Sequence, residues 1–215
     1  MDSQVQGEIQ LRMAHRAILK MVIPGSVVLD IGSGSGALTA FLSQKASCSV
    51  TAVDLTADRV AYAAPYAQAT VAGNIEEPST WEQINGRFDY IIFADVLEHL
   101  ADPWAALHRC KECLNPGGHV IASIPNVAYY RVRQHLLFGR FDYGPVGILD
   151  VTHLRFYTAK TSAALFTESG YGIDEFERVF TSRKNRLLGA LFPNAFAYEF
   201  AIKASPAALR VVAGP

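Results

Sequence analysis

The chain contains no uninterrupted apolar run of the roughly 18 residues that a membrane span needs. Its polar opening, MDSQVQGEIQ, has no apolar segment of the kind a secretory signal carries. Cysteine is scarce: three residues, an odd number that gives a disulfide framework no support. Net charge is almost absent, −1 from 19 basic and 20 acidic side chains, so no strong field recruits nucleic acid or an anionic membrane. Lysine runs and the signatures of RNA-binding modules are missing as well. The expectation is a cytoplasmic chain with no nucleic-acid partner and no membrane span. Any basic site has to be local.

What is present is apolar. Half of the 215 residues are hydrophobic and 18% are charged, with 12 Phe, 9 Tyr and 2 Trp, which is enough to build a core and excludes disorder as the resting state. The length suits one domain, 1–215. Apolar residues at Ile9, Met13, Ala17 and Met21 have helical spacing over Glu8 to Met21, and Pro24-Gly25 ends that helix. Beyond it, strands and helices alternate. The expected strands are Ser26 to Ile31, Cys48 to Leu55, Ala69 to Ala72, Phe88 to Ala94 and His119 to Ile124. Helices are expected over Ala37 to Lys45, Asp58 to Tyr66 and Asp102 to Leu114, the last with Pro103 in its first turn. Near-continuously apolar strands alternating with helices predict an α/β, doubly wound, mostly parallel sheet. A helix from Ala159 to Ser169 and two strands, Ile173 to Phe180 and Ala197 to Ala204, complete a count of seven. The last two strands read as an antiparallel pair with a long connection. Residues 205–215 are left open as helix or tail; Leu209, Val211 and Val212 suggest contact with something there, such as a second subunit, so monomer and homodimer both stand.

The sharpest local signal is Asp30-Ile31-Gly32-Ser33-Gly34-Ser35-Gly36, a strand running into glycines that open a helix. Glycines there allow a tight turn and close approach of a ligand to backbone N–H groups. Asp54 closes the second strand, where a carboxylate can accept both ribose hydroxyls of an adenosine. The glycine run by itself fits two cofactors. Gly32-x-Gly34-x-x-Ala37 matches a dinucleotide fingerprint, and Gly32-x-Gly34-x-Gly36 matches the loop that holds S-adenosylmethionine.

Further motifs carry a family resemblance. The glycine loop, Asp54, Gly73-Asn74-Ile75, the stretch Phe88-Asp89-Tyr90-Ile91-Ile92-Phe93-Ala94-Asp95-Val96-Leu97-Glu98-His99-Leu100 and Leu114-Asn115-Pro116-Gly117-Gly118 resemble class I S-adenosylmethionine-dependent methyltransferases in type and order. The resemblance spans about residues 20–204. It implies a Rossmann-like sheet of order 3-2-1-4-5-7-6 with the last strand antiparallel. It also implies that Asp30, Gly32, Ser33, Gly34 and Gly36 hold the methionine portion, Asp54 the ribose, and Leu55 the rim of the adenine. Asn74 and Ile75 would meet the adenine amino group and ring, and Ala94 and Asp95 would line the sulfonium. Ser123-Ile124-Pro125-Asn126, Gly139-Arg140-Phe141-Asp142-Tyr143 and Leu149-Asp150-Val151-Thr152-His153-Leu154-Arg155-Phe156-Tyr157-Thr158 are similar to bacterial methyltransferases that accompany glycosyltransferases in surface-polysaccharide pathways.

Methyl transfer to a hydroxyl needs alignment and somewhere for the proton to go, and histidine is the usual acceptor near neutral pH. His99, just after the fourth strand, and His153, in the insertion after the fifth, are the candidate bases. Each has an ordinary alternative as a packed or capping residue. The insertion 126–157 carries Arg131, Arg133, Arg140 and Arg155 against Asp142 and Asp150, among seven Tyr and Phe. That composition predicts a substrate cap binding a small anionic or sugar-containing acceptor through Asn126, Tyr129, Arg140, Arg155 and Tyr157. Core aromatics beside a solvated helix face are the competing account. No metal is expected. Cys110 and Cys113 form a lone pair without further ligands, and Val127 follows Asn126 where the metal site of catechol-type methyltransferases has an acid. Two other functions remain open: a nicotinamide oxidoreductase, and a non-catalytic module that keeps the cofactor pocket.

Overall fold

A computed structural model describes residues 11–207. The first helix, α1 (Met13–Met21), buries Ala14, Ala17, Ile18 and Met21; the turn that would begin it at Glu8 lies outside the described residues. The strands are β1 (Val27–Ile31), β2 (Ser49–Asp54), β3 (Ala69–Ala72), β4 (Phe88–Ala94), β5 (Leu114–Pro125), β6 (Tyr171–Val179) and β7 (Glu199–Pro206). They form one sheet of order β3-β2-β1-β4-β5-β7-β6. β7 runs antiparallel to both neighbours, and the other pairings are parallel.

Side chains alternate between the two faces of this sheet, as the twofold period of a strand requires. Val28, Tyr90 and Ile92 join α1 and α2 (Ala37–Ala46) in one apolar layer through Ile18, Leu38 and Leu42. Leu29, Ile31, Ile91 and Phe93 face the other way, toward Leu107 and Cys110. The central strands are thus buried on both sides, which is why they read as continuous apolar runs. Helix α3 is Ala57–Val60 and continues only as turns, so the expected helix to Tyr66 is shortened. A short α4 (Pro78–Trp81) and a 3-10 turn over Leu97–His99 were not anticipated. Asp102 caps α5 (Pro103–Cys113), its side chain accepting from the Ala105 N–H. β5 begins at Leu114, earlier than expected, and its register with β4 slips between Phe88 and Tyr90, where Pro116-Gly117-Gly118 intervenes.

The insertion after β5 is more regular than its sequence suggests. It holds α6 (Tyr130–Leu137), of which Val132 is the buried residue, and then irregular backbone to Tyr157. A reciprocal Thr158–Thr161 capping box opens α7 (Ala159–Glu168). The connection from β6 to β7 contains α8 (Arg183–Gly189) and α9 (Pro193–Phe196). The tail with Leu209, Val211 and Val212 lies outside the described residues. No helix among those described is long and apolar enough to cross a membrane.

Candidate active site

The glycine loop follows β1 and lies against the C-terminal end of β2, where the Gly32 and Ser33 N–H groups donate to the Val53 carbonyl at 2.8 and 3.0 Å. Gly32, Gly34 and Gly36 have φ of +76°, +53° and +71°, a region where a Cβ is strained. Space is also short: a Cβ on Gly36 would lie 2.5 Å from the Tyr62 carbonyl oxygen, and one on Gly32 would strike Val96. Asp54 ties the loop down, Oδ2 accepting from the Gly34 N–H at 2.7 Å and Oδ1 from the Leu55 N–H at 2.8 Å. Each carboxylate oxygen keeps a further acceptor site, which suits a ribose diol. Ser33 is buried, and its Oγ has no partner among the described residues. The Gly32 and Ser33 N–H groups are engaged on Val53 and that of Gly36 on the Ser33 carbonyl, so the loop offers a cofactor close backbone approach and the orphaned Ser33 hydroxyl, which fits the polar end of an amino-acid-bearing group.

Asp30 is placed more deeply than a ligand contact requires. It accepts from Thr39 Oγ1 at 2.6 Å and is fully buried, which pushes its carboxyl up to about 6 against the lowering effect of that hydroxyl. Its direct role is to fasten α2 beneath the loop. Leu55 is exposed at the rim, while Ile75 is buried and Asn74 half-buried beyond β3. Asn74 Oδ1 accepts from the Glu76 N–H at 3.0 Å, which fixes the amide in an Asx turn.

Ala94 and Asp95 follow at the end of β4. Asp95 has φ +56°, accepts from Ser123 Oγ at 2.6 Å and receives Arg12 Nη1 at 3.4 Å. Its neighbour Glu98 lies buried on the 3-10 turn, and neither carboxylate oxygen has a hydrogen-bond partner among the described residues. Burial, followed by the charge of Asp95, raises its proton affinity well above the ordinary range. The insertion comes down onto this turn: the Leu154 and Arg155 N–H groups both donate to the Glu98 carbonyl, at 2.9 and 3.0 Å. His153 is thereby set 3.8 Å from Glu98 Oε1 through Nε2, and its ring meets His99 edge-on at 4.7 Å. Desolvation lowers the His153 pKa. The two histidines singled out by sequence are therefore brought together, and Glu98, passed over by it, joins them. Its signal was the Asp95-x-x-Glu98-His99 spacing directly after an apolar strand.

The proposed acceptor residues divide. Tyr129 lines a cleft of about 560 Å³ with Tyr130, Arg131, Lys184, Phe196 and Tyr198. Arg140 is exposed. Three others require correction. Asn126 is buried with its amide fully engaged, donating to the Asn194 and Ala197 carbonyls at 2.8 Å each and accepting from the Ala128 N–H at 3.0 Å. Arg155 bonds the Ala101 carbonyl and stacks over Trp104 at 4.8 Å, so it staples the cap to α5. Tyr157 is buried in the main core, where desolvation pushes its hydroxyl up to about 12. Cys110 is buried, Cys113 half-buried, and both are free thiols.

The sheet order separates the two cofactor families left open by the glycine run. A dinucleotide fold places its strands 3-2-1-4-5-6, whereas here an antiparallel β7 lies between β5 and β6. The family described as methyltransferase domain matches residues 1–175. The chain belongs to that family, and its fold is the class I, S-adenosylmethionine-dependent type. Among curated proteins it is similar to a ubiquinone biosynthesis O-methyltransferase of Cronobacter sakazakii, 32% identical over 122 residues, covering 54% of this chain and 49% of that protein. The chain thus spans about half the length of the curated relatives it matches. Of solved structures, an S-adenosylmethionine-dependent methyltransferase from Archaeoglobus fulgidus aligns with TM-score 0.65 at 18% identity, over 93% of this chain and 95% of that one. The magnesium protoporphyrin IX methyltransferase of Synechocystis, with bound S-adenosylhomocysteine, gives 0.61 at 17% identity, over 90% and 80%. These structures share the fold.

Proposed function

We propose that this chain transfers the methyl group of S-adenosylmethionine to a hydroxyl oxygen of a small acceptor held between the insertion and the C-terminal edge of the sheet. The supporting observation is a juxtaposition. Asp54 and the glycine loop would form a nucleoside cradle at the C-terminal ends of β1 and β2, and the Glu98–His99–His153 cluster stands just beyond the C-terminal end of the neighbouring β4.

When bound, the cofactor supplies an electrophilic methyl on a sulfonium. The chain's part is to align the acceptor with that methyl, an effect worth roughly 7–11 kcal/mol in well-oriented systems. Ala94 and Asp95 stand at the end of β4 where the cofactor's charged centre would lie, and Arg12 holds Asp95 in place. His99 and His153 stand at the edge where the acceptor hydroxyl would lie. Tyr129, Tyr198, Phe196 and Arg131 line the cleft with aromatic faces and a cation, which suits a ring bearing an anionic group. An oxygen acceptor also agrees with relatives named as O-methyltransferases.

Methyl transfer from labelled S-adenosylmethionine to a panel of a nucleotide-linked sugar, a carboxylated sugar and a carboxylated phenol tests this reading. Labelled ether product with one of them is expected. Binding of S-adenosylhomocysteine with no transfer to any acceptor would favour the non-catalytic module, and binding of NAD instead would overturn the assignment.

A further inference from the structure

Glu98 and His153 face each other as two acceptors. The Ile148 carbonyl lies 3.0 Å from His153 Nδ1; because a carbonyl only accepts, Nδ1 carries the proton and Nε2 presents a lone pair. That lone pair is 3.8 Å from Glu98 Oε1, too far for a hydrogen bond, and Oε1 and Oε2 are both buried without partners among the described residues. His99 repeats the pattern. Its Nδ1 lies 3.1 Å from the Thr152 carbonyl, which leaves its lone pair on Nε2. In metal sites the non-ligating imidazole N–H is usually donated to a backbone carbonyl or carboxylate in this way, which fixes the tautomer.

One oxygen of Glu98 and one ring nitrogen of each histidine all lie within 4.8 Å of one another. A cation bonded at roughly 2.0–2.2 Å to each donor would draw the three atoms closer by side-chain rotation. Asp95 and Glu199 add negative charge at this edge, and Arg12 opposes it. On the sequence a metal is weighed at the Cys110–Cys113 pair and beside Asn126, and the structure has the Asn126 amide donating to two backbone carbonyls. The cluster here is a different one, closed by the insertion.

We propose that Glu98, His99 and His153 bind one divalent first-row cation, of the zinc or manganese kind, with positions left open for an acceptor oxygen. Two imidazoles and a carboxylate with open positions are the donor set of catalytic rather than structural sites. The binding site stands on its own geometry; its use rests on the methyltransferase reading above. In that use the acceptor hydroxyl would coordinate the cation and release its proton to solvent water more readily. Its oxygen would form the new O–CH₃ bond as the S–CH₃ bond breaks and the sulfonium becomes a neutral thioether. The cation is unchanged, and the histidines act as ligands.

The test uses the full chain, stripped with EDTA and desalted, then titrated with Co²⁺ by visible absorption and with Zn²⁺ by calorimetry. One equivalent with a ligand-field band is expected, with binding weakened at least tenfold in Glu98→Gln and in His153→Gln. His135→Gln on exposed α6 should bind as the parent does. Should the cluster variants unfold, Mn²⁺ added to the unaltered protein should broaden two imidazole signals selectively among the six histidines. No saturable equivalent, undiminished binding in folded variants, or unselective broadening would overturn the proposal. S-adenosylhomocysteine titrated into the stripped protein keeps the two readings apart. Metal binding without cofactor binding would leave the cation site standing and remove the methyltransferase assignment; cofactor binding without metal would do the reverse.

Discussion

The Gly34 N–H donates to Asp54 Oδ2 at 2.7 Å, so the end of β2 holds the shape of the loop that follows β1. Loop geometry and the proposed ribose recognition would therefore share one carboxylate. Asp54→Ala should weaken S-adenosylhomocysteine binding at least tenfold by calorimetry. It should also lower the melting temperature without ligand, since a hydrogen bond to a charged group contributes about 1.5–3 kcal/mol. A loss of affinity with an unchanged melting temperature would show that Asp54 serves the ligand alone.

Gly36 and Gly139 have nearly the same backbone, φ +71° and +70°, in different surroundings. A Cβ at Gly36 would press on the backbone of Tyr62 and Ala63, whereas one at Gly139 would have nothing within 4 Å. Gly139→Ala should bear only the left-handed backbone cost, about 1–2 kcal/mol. Gly36→Ala should exceed it clearly in chemical denaturation and lose cofactor binding besides.

Arginines of the cap should separate by experiment. Arg155→Ala removes the Ala101 bond and the Trp104 stack. It should reduce stability by about 2 kcal/mol and loosen the cap, lowering turnover indirectly. Arg140→Ala should leave the melting temperature unchanged and raise the acceptor KM. If Arg140→Ala alters neither KM nor turnover, that residue has no part in acceptor recognition.

Glu199, at the start of β7, is buried, and desolvation raises its carboxyl pKa from 4.5 to about 8, with Asp95 adding to the rise and Arg12 opposing it. A carboxyl that prefers its proton when folded contributes stability below its unfolded pKa and loses it as pH rises toward the folded one. Its effect on stability should thus fall between about pH 4.5 and pH 8. Glu199→Gln, neutral throughout, should melt higher than the parent at pH 8, with the gap closing toward pH 4.5. Parallel melting curves across that range would contradict the assignment.

The parallel core was legible because both faces of its strands are covered, which leaves continuous apolar runs such as Val28 to Ile31 and Phe88 to Ala94. The tight loop after β1 was legible because positive φ and close packing select glycine. The short helices α4, α6, α8 and α9 were not. Each is too short to be stable alone and is ordered by tertiary contacts, as when Asn126 donates to the Asn194 carbonyl of α9 or Trp81 of α4 donates to the Ile75 carbonyl. Arg155 was misread for a related reason. An arginine among aromatics has the same composition whether it meets an anionic ligand or the face of Trp104, and only the distance to Trp104 decides. Glu98 was missed because its partner His153 comes from the insertion, far along the chain.

The antiparallel placement of β7 also divides the chain's adaptability. Because β7 enters the sheet at the edge where the parallel strands finish, the segment before it, with α8 and α9, is delivered to the same edge as the insertion after β5. The proposed nucleoside cradle ends at Ile75, and both segments facing the cleft come later in the chain. Segments 126–157 and 180–198 can thus be lengthened or exchanged without disturbing the first three strands. A chimaera carrying another chain's versions of these two segments should keep its cofactor affinity while changing its acceptor.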